Sequence, residues 1–173
     1  ASESSVNTAS KIFGNSMGMI QFGDGKLYKD KKVEAEVRAQ LKPLDVLLEK
    51  TPFRLTDKFI PGHYGHVAIW LGSEAELKRY NLWDHPQIKP HQQKIRQGKC
   101  VLEALRDGVQ LNTLAHFLNV DDIAVLRCRQ LNVKMLMPKA FRQIGKEYDF
   151  NFDVETIDKI VCSELVYQVF TSM

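Results

Sequence analysis

The sequence is short of several things, and each absence closes off a class of protein. No apolar stretch approaches the ~20 residues that a membrane-spanning helix needs, so no integral membrane segment is expected. No run of lysine and arginine occurs, since Lys29 to Lys32 is interrupted by Asp30. A net charge of only +3 adds little, and a nucleic-acid partner is not expected. Cysteine is scarce, with three in the chain. There is no CxxC, and no histidine pairs with a cysteine at zinc spacing, so neither a metal nor another cofactor is expected. An odd cysteine count leaves at least one thiol unpaired in a monomer. Cys100 and Cys128 both fall in predicted strands and read as buried thiols rather than a disulfide. An initiator Met and a signal-peptide pattern are both missing, which implies a removed leader or a trimmed chain. No internal repeat or low-complexity linker appears.

What is present is an ordinary globular composition, 44% hydrophobic and 26% charged over 173 residues. That length fits one domain with a real core, so residues 1–173 are expected to form a single unit. Ala1 to Lys26, rich in Ser, Asn and Gly, reads as a flexible arm or a poorly specified helix. Val33, Val37 and Leu41 give a short amphipathic helix from Lys31 to Leu41, stopped by Pro43. Asp45 to Glu49 reads as a first strand. His66 to Leu71 is the clearest strand, bounded by Gly65 and Gly72. Ser73 looks like an N-cap ahead of Glu74 and Glu76, opening an irregular helical insertion broken by Pro86 and Pro90. Lys99 to Leu105 is the next strand, with a turn at Asp107-Gly108 and Val109 to Leu111 pairing back. Asn112 to Leu118 reads as a short helix, Asp122 to Arg129 as a strand, and Asn132 to Ile144 as a helix ended by Gly145. Tyr148 to Asp153 is an aromatic-acidic loop. Strands joined by short turns, with helices packed to one side, make an α+β domain.

The chemistry gathers at the C-terminal end. Cys162, Leu165, Val166, Val169 and Phe170 share one face at helical period. Cys162 sits at the N-terminal edge of that face. A thiol in a first helical turn feels the positive end of the helix dipole and unpaired N–H groups, and both favour thiolate. Cys162 is therefore a candidate nucleophile, against the bland alternative of a small buried core residue. A nucleophilic thiolate needs a base, and the base needs an orienting group. His66 opens the clearest strand. Glu103 lies on a strand among Leu102, Ala104 and Leu105, and its parity with Val101 and Leu105 implies a carboxylate buried with a partner. His63 competes with His66, but it precedes the strand. A metal held by His63 and His66 lacks a third ligand. Glu164 points about 200° away from Cys162, by the ~100° helical step, and reads as structural.

The motifs Gly65-His66-Val67-Ala68-Ile69-Trp70-Leu71-Gly72, Val101-Leu102-Glu103-Ala104 with Gly108-Val109, Tyr148-Asp149-Phe150 and Cys162-Ser163-Glu164-Leu165-Val166-Tyr167 resemble the circularly permuted papain-like amidases. These are the YiiX/YebB-like branch of the NlpC-type cysteine peptidases. In that branch the histidine strand comes first and the cysteine helix last, as here. The resemblance spans roughly Leu44 to Phe170 and implies a permuted papain-like (NlpC-like) fold, an antiparallel sheet or small barrel with helices on one side. One departure is visible. The family often carries Gly-Asp before its first strand, where this chain has Leu44-Asp45.

Residue by residue, the resemblance implies Cys162 as nucleophile, His66 as general base and then acid, and Glu103 as the group that orients the imidazole. The chemistry implied is cleavage of an amide in a small peptide, cell-wall-derived or otherwise, through an acyl-enzyme. Tyr64 and Tyr148 are expected to line the substrate pocket or donate to the oxyanion, with core packing the alternative for Tyr148. Two other readings stand beside this one. Permuted relatives that act on lipid esters, or transfer acyl groups, typically carry Asn-Cys-Glu-His around the nucleophile, where this chain has Val161-Cys162-Ser163-Glu164. A non-catalytic ligand-binding domain on the same fold would be expected to have lost Cys162, His66 or Glu103. A bacterial envelope or periplasmic location is favoured over the cytoplasm, and the oligomeric state is not legible.

Overall fold

A computed structural model describes residues 24–50, 63–148 and 159–171. Most of the N-terminal arm, the 51–62 connector and most of the 148–153 loop lie outside the described residues.

The chain enters through a tight stretch against the far end of the fold. Gly25 N–H donates to Asn119 Oδ1, Lys26 N–H to Asp121 Oδ1, and Leu27 N–H to the Val120 carbonyl. A Cβ at Gly25 would meet the Val120 backbone at 2.3 Å, so only glycine fits this approach. Helix α1 (Lys31–Gln40) follows, N-capped by Asp30, whose carboxylate accepts from the Lys32 and Val33 N–H groups.

Five strands form one antiparallel sheet: β1 (Val46–Lys50), β2 (His66–Trp70), β3 (Lys99–Leu105), β4 (Gly108–Thr113) and β5 (Asp122–Leu126), in the order β4-β3-β2-β1-β5. Among the described residues the order is linear, an open sheet rather than a closed barrel. Strand β3 spans the residues its alternation predicts, and Leu105 pairs with Gly108 across a two-residue turn at Arg106-Asp107. Ala68, Ile69, Val101 and Leu102, from the two central strands, are fully buried.

Around the sheet lie α2 (Glu74–Arg79), a 3-10 turn at Lys89–His91 leading into α3 (Gln92–Arg96), α4 (Leu114–Phe117), α5 (Val133–Arg142) and α6 (Cys162–Phe170). Ser73 caps α2 in a reciprocal box with Glu76, as the Ser-x-x-Glu spacing predicts. Asn132 caps α5, which carries Pro138 in its interior, and Gly145 follows at φ +90. Two short parallel strands, β6 (Glu147–Tyr148) and β7 (Lys159–Ile160), lead into α6.

Three expectations change. Asn112 does not open a helix: it pairs with Val101 in β4, and Thr113, one residue on, is the N-cap of α4. Cys128 is exposed and outside any strand. Strand β5 is an edge and ends at Leu126, because Arg127 turns to meet the buried Asp45, at 2.6 Å from Nη2 to Oδ2. Leu44 sits at φ +70 with its side chain buried, in the left-handed conformation that a glycine would take without cost.

Candidate active site

Strand register assembles a polar row on one face of the sheet. Side chains two apart along a strand share a face. Glu103 on β3 stands opposite Ala68, which places it diagonal to His66 on the same face. On β1, Glu49 stands directly opposite His66. His66 Nε2 lies 3.0 Å from Glu103 Oε2. A carboxylate can only accept, so the proton sits on Nε2 and Nε2–H is the donor. The other oxygen of Glu103, Oε1, accepts from Asn112 Nδ2 at 3.0 Å. Both carboxylate oxygens are thus engaged, and Glu103 is 2% exposed.

Cys162 is the first residue of α6, and Val161 is its N-cap residue. Glu164 turns back so that its Oε2 accepts the Val161 N–H at 3.0 Å, which fixes the helix start and agrees with a structural role. The Cys162 thiol hydrogen-bonds the His66 ring. Nε2 is committed to Glu103, so Nδ1 is the nitrogen that faces the sulfur. The position of α6 relative to the sheet is set through β4. Val109 N–H donates to the Lys146 carbonyl and Gly145 N–H to the Val109 carbonyl, and β6 then pairs with β7. Gly108, at φ +102, permits that approach, since a Cβ there would lie 2.5 Å from the Lys146 oxygen.

The electrostatics follow from this packing. Burial is the largest single influence on His66 and works against its charge. The bonds to Cys162 and Glu103, with the negative charges of Glu49 and Glu103, outweigh it and raise the imidazole from 6.5 to about 10. Burial also opposes the charged form of Cys162. The His66 bond and charge, with the N–H groups of Val67 and Ser163, pull the thiol below its ordinary value. Glu103 is held below the usual carboxylate range, because His66, Asn112 and the more distant His116 outweigh its burial. Cys100 differs. Burial pushes its thiol up to about 11, against a smaller opposing effect of Arg38.

His66, Glu103 and Cys162 therefore meet. The other candidates do not join them. His63 is exposed, and its Nε2 lies 2.8 Å from Asp122 Oδ2 on the edge strand. Among the described residues no cluster of three or more His, Cys, Asp and Glu could hold a metal ion. Tyr64 is half-buried with its ring edge-on to His63, and Tyr148 packs against the core. A cavity of about 460 Å³ lies on the Glu103 side of the imidazole, walled by Glu49, His66, Glu103, His116 and Phe117, with Lys29 across from them. Neither tyrosine lines it. Two residues of the row, Asn112 and Glu49, are not among the sequence candidates. The sequence reads Asn112 as the first residue of a short helix. Glu49 carried a signal that was available, its i, i+2 parity with the buried Leu47.

An open antiparallel sheet that carries the histidine and the carboxylate, faced by a helix that starts at the cysteine, is a papain-like α+β fold with its elements in permuted order. The chain belongs to the permuted papain-like amidase enzymes of the YaeF/YiiX, C92 family, whose profile matches residues 40–173. No curated protein and no solved structure matches it. Among the described residues no helix is long and apolar enough to cross a membrane.

Proposed function

We propose that the chain is a cysteine hydrolase that cleaves an amide bond in a small peptide, such as one derived from a cell wall, within a single catalytic domain. Cys162 is the nucleophile, His66 the general base and then acid, and Glu103 the group that orients the imidazole. The observation that carries this reading is the position of His66. Its Nε2–H is held by a buried carboxylate at 3.0 Å while its other nitrogen faces a thiol at a helix start.

The thiolate attacks the acyl carbon, and the carbonyl electron pair moves onto oxygen. The backbone N–H of Cys162, in the unpaired first turn of α6, is the natural donor to that oxyanion. The Val161 N–H is already committed to Glu164. Collapse of the adduct breaks the C–N bond, and the leaving nitrogen takes the proton from Nδ1 of His66. Water then gives a proton back to Nδ1 and attacks the thioester, releasing the acid and restoring the pair. Glu103 stabilises the imidazolium at each stage and prevents the ring from turning, and Asn112 holds Glu103 in place. We propose substrate-contacting roles for Tyr64, two residues before His66, and for Tyr148.

The test is labelling with limiting iodoacetamide across pH, located by peptide mass spectrometry, on the native chain, His66→Ala and Glu103→Ala. Selective labelling of Cys162 well below pH ~8.5, the range of a free thiol, is expected, with loss in His66→Ala. Turnover of peptide amides in preference to lipid esters then distinguishes the amidase from an acyl-lipid enzyme. Slow labelling of Cys162, unchanged by either substitution, would overturn the reading.

A further inference from the structure

We propose that Glu49 is a second carboxylate of this site, a positioning residue that holds the His66 imidazolium from β1 while Glu103 holds it from β3. The inference rests on the Cys162–His66 pair proposed above and goes beyond it.

Four observations carry it. Glu49 is 4% exposed, so its charge acts on its neighbours with less screening than it would in water. It stands directly opposite His66 in the β1–β2 register. Directly opposed side chains on one face of an antiparallel pair have Cβ atoms only ~5 Å apart. The register is fixed at that point, because Gly65 N–H donates to the Glu49 carbonyl at 3.0 Å, one residue before the histidine. Glu49, His66 and Glu103 wall the same cavity. The Glu49 carboxylate also favours the charged form of His66.

The arrangement has a definite consequence. Both oxygens of Glu103 are engaged, one by the imidazole and one by Asn112. A second negative charge across the ring keeps the imidazolium charged up to higher pH. It also repels the Cys162 thiolate, so the thiol gives up its proton later than it otherwise would. Glu49 therefore moves both ends of the reactive window toward alkaline pH. Among the described residues the other titratable groups around the ring and its cavity are Glu103 from β3, Cys162 from α6, His116 from α4, and Tyr28, Lys29 and Lys31 on the cavity wall. A substitution at position 49 leaves all of these in place.

The experiment is the pH dependence of Cys162 alkylation in the full chain, for the native protein, Glu49→Gln, Glu49→Asp and His66→Ala, with thermal melts on each. In Glu49→Gln both inflections are expected to move to lower pH, the upper one by about one unit or more, as for loss of an opposite charge at ~4–6 Å. Glu49→Asp restores most of that shift, which a merely structural role would not do. Unmoved inflections in a folded Glu49→Gln overturn the proposal and leave the Cys162–His66 pair standing. Equal alkylation of the native chain and His66→Ala overturns both. Should Glu49→Gln melt below the assay temperature, carboxyl carbon NMR of the native chain decides instead. A Glu49 signal that is ionised at neutral pH and responds at the His66 inflection supports the role. A protonated or silent Glu49 refutes it.

Discussion

Asn112→Ala tests how much of the site rests on one amide. Asn112 Nδ2 donates to Glu103 Oε1 at 3.0 Å, and Glu103 is almost wholly out of water. Removing the donor leaves a buried carboxylate oxygen without that partner. A hydrogen bond to a charged group contributes about 1.5–3 kcal/mol. For a chain of this size each kcal/mol moves Tm by ~2–4 °C, so a fall of about 3–12 °C is expected near neutral pH. The pH dependence separates this cause from a general loss of packing. Glu103 is held below its reference of 4.5. A group with a lowered folded-state pKa contributes stability that is present above its unfolded value and is lost as pH falls through the folded one. Asn112→Ala lets that pKa rise. Its cost is therefore largest above pH 4.5 and shrinks as Glu103 becomes protonated on acidification. The assay is a set of thermal melts of both proteins from neutral pH down through the carboxylate range, with Cys162 alkylation in parallel. Alkylation is expected to slow, because the acceptor that fixes His66 is itself less fixed. A Tm change under ~1 °C, or a difference that stays constant with pH, would refute the reasoning.

Three further outcomes follow from the geometry. In a Cys128→Ser background at neutral pH, Cys162 should be alkylated while Cys100, buried and with its thiol pushed up to about 11, stays unlabelled until the chain is unfolded; comparable rates would contradict this. Gly108→Ala places a Cβ 2.5 Å from the Lys146 oxygen at φ +102, so it should displace β6 and β7 and lower Cys162 reactivity, and unchanged alkylation kinetics would show that α6 is held some other way. At Leu44, φ +70 reverses the usual order of small residues. Leu44→Gly and Leu44→Ala both lose a buried side chain, at about 2–5 kcal/mol, but glycine escapes a left-handed penalty of ~1–2 kcal/mol. Urea unfolding should therefore find Leu44→Gly the more stable of the two, and the opposite order would refute the assignment.

The parts of the fold that were legible in the sequence are those written in local periodicity. Alternation marks β3 from Lys99 to Leu105, and parity alone implies that Glu103 is buried. The Ser73 cap, the Gly145 stop and the start of α6 at Cys162 are signals carried within a few residues. What escaped is non-local. Asn112-Thr113 reads as a polar pair at a helix start, and only the hairpin register across to β3 separates the strand residue from the cap. The exposure of Cys128 depends on β5 being an edge strand cut short by Arg127, which reaches Asp45 from 82 positions away. Leucine is not a turn residue, so Leu44 gives no sign of its backbone. The departure from the family's Gly-Asp was nevertheless its trace. Glu49 reads only as the end of a first strand, and its place opposite His66 depends on the β1–β2 register.

The order of the elements bears on how the protein comes into being. Of the proposed centre, His66, Glu49, Glu103 and Asn112 all lie on β1 to β4, within residues 46–113, whereas Cys162 arrives with α6. On a ribosome the acid–base half of the centre can take shape while the nucleophile has yet to be joined to the chain. A chain interrupted between β4 and α6 holds His66 and both glutamates without Cys162, the proposed nucleophile. In this order of elements the proposed nucleophile is the last part of the centre to be synthesised.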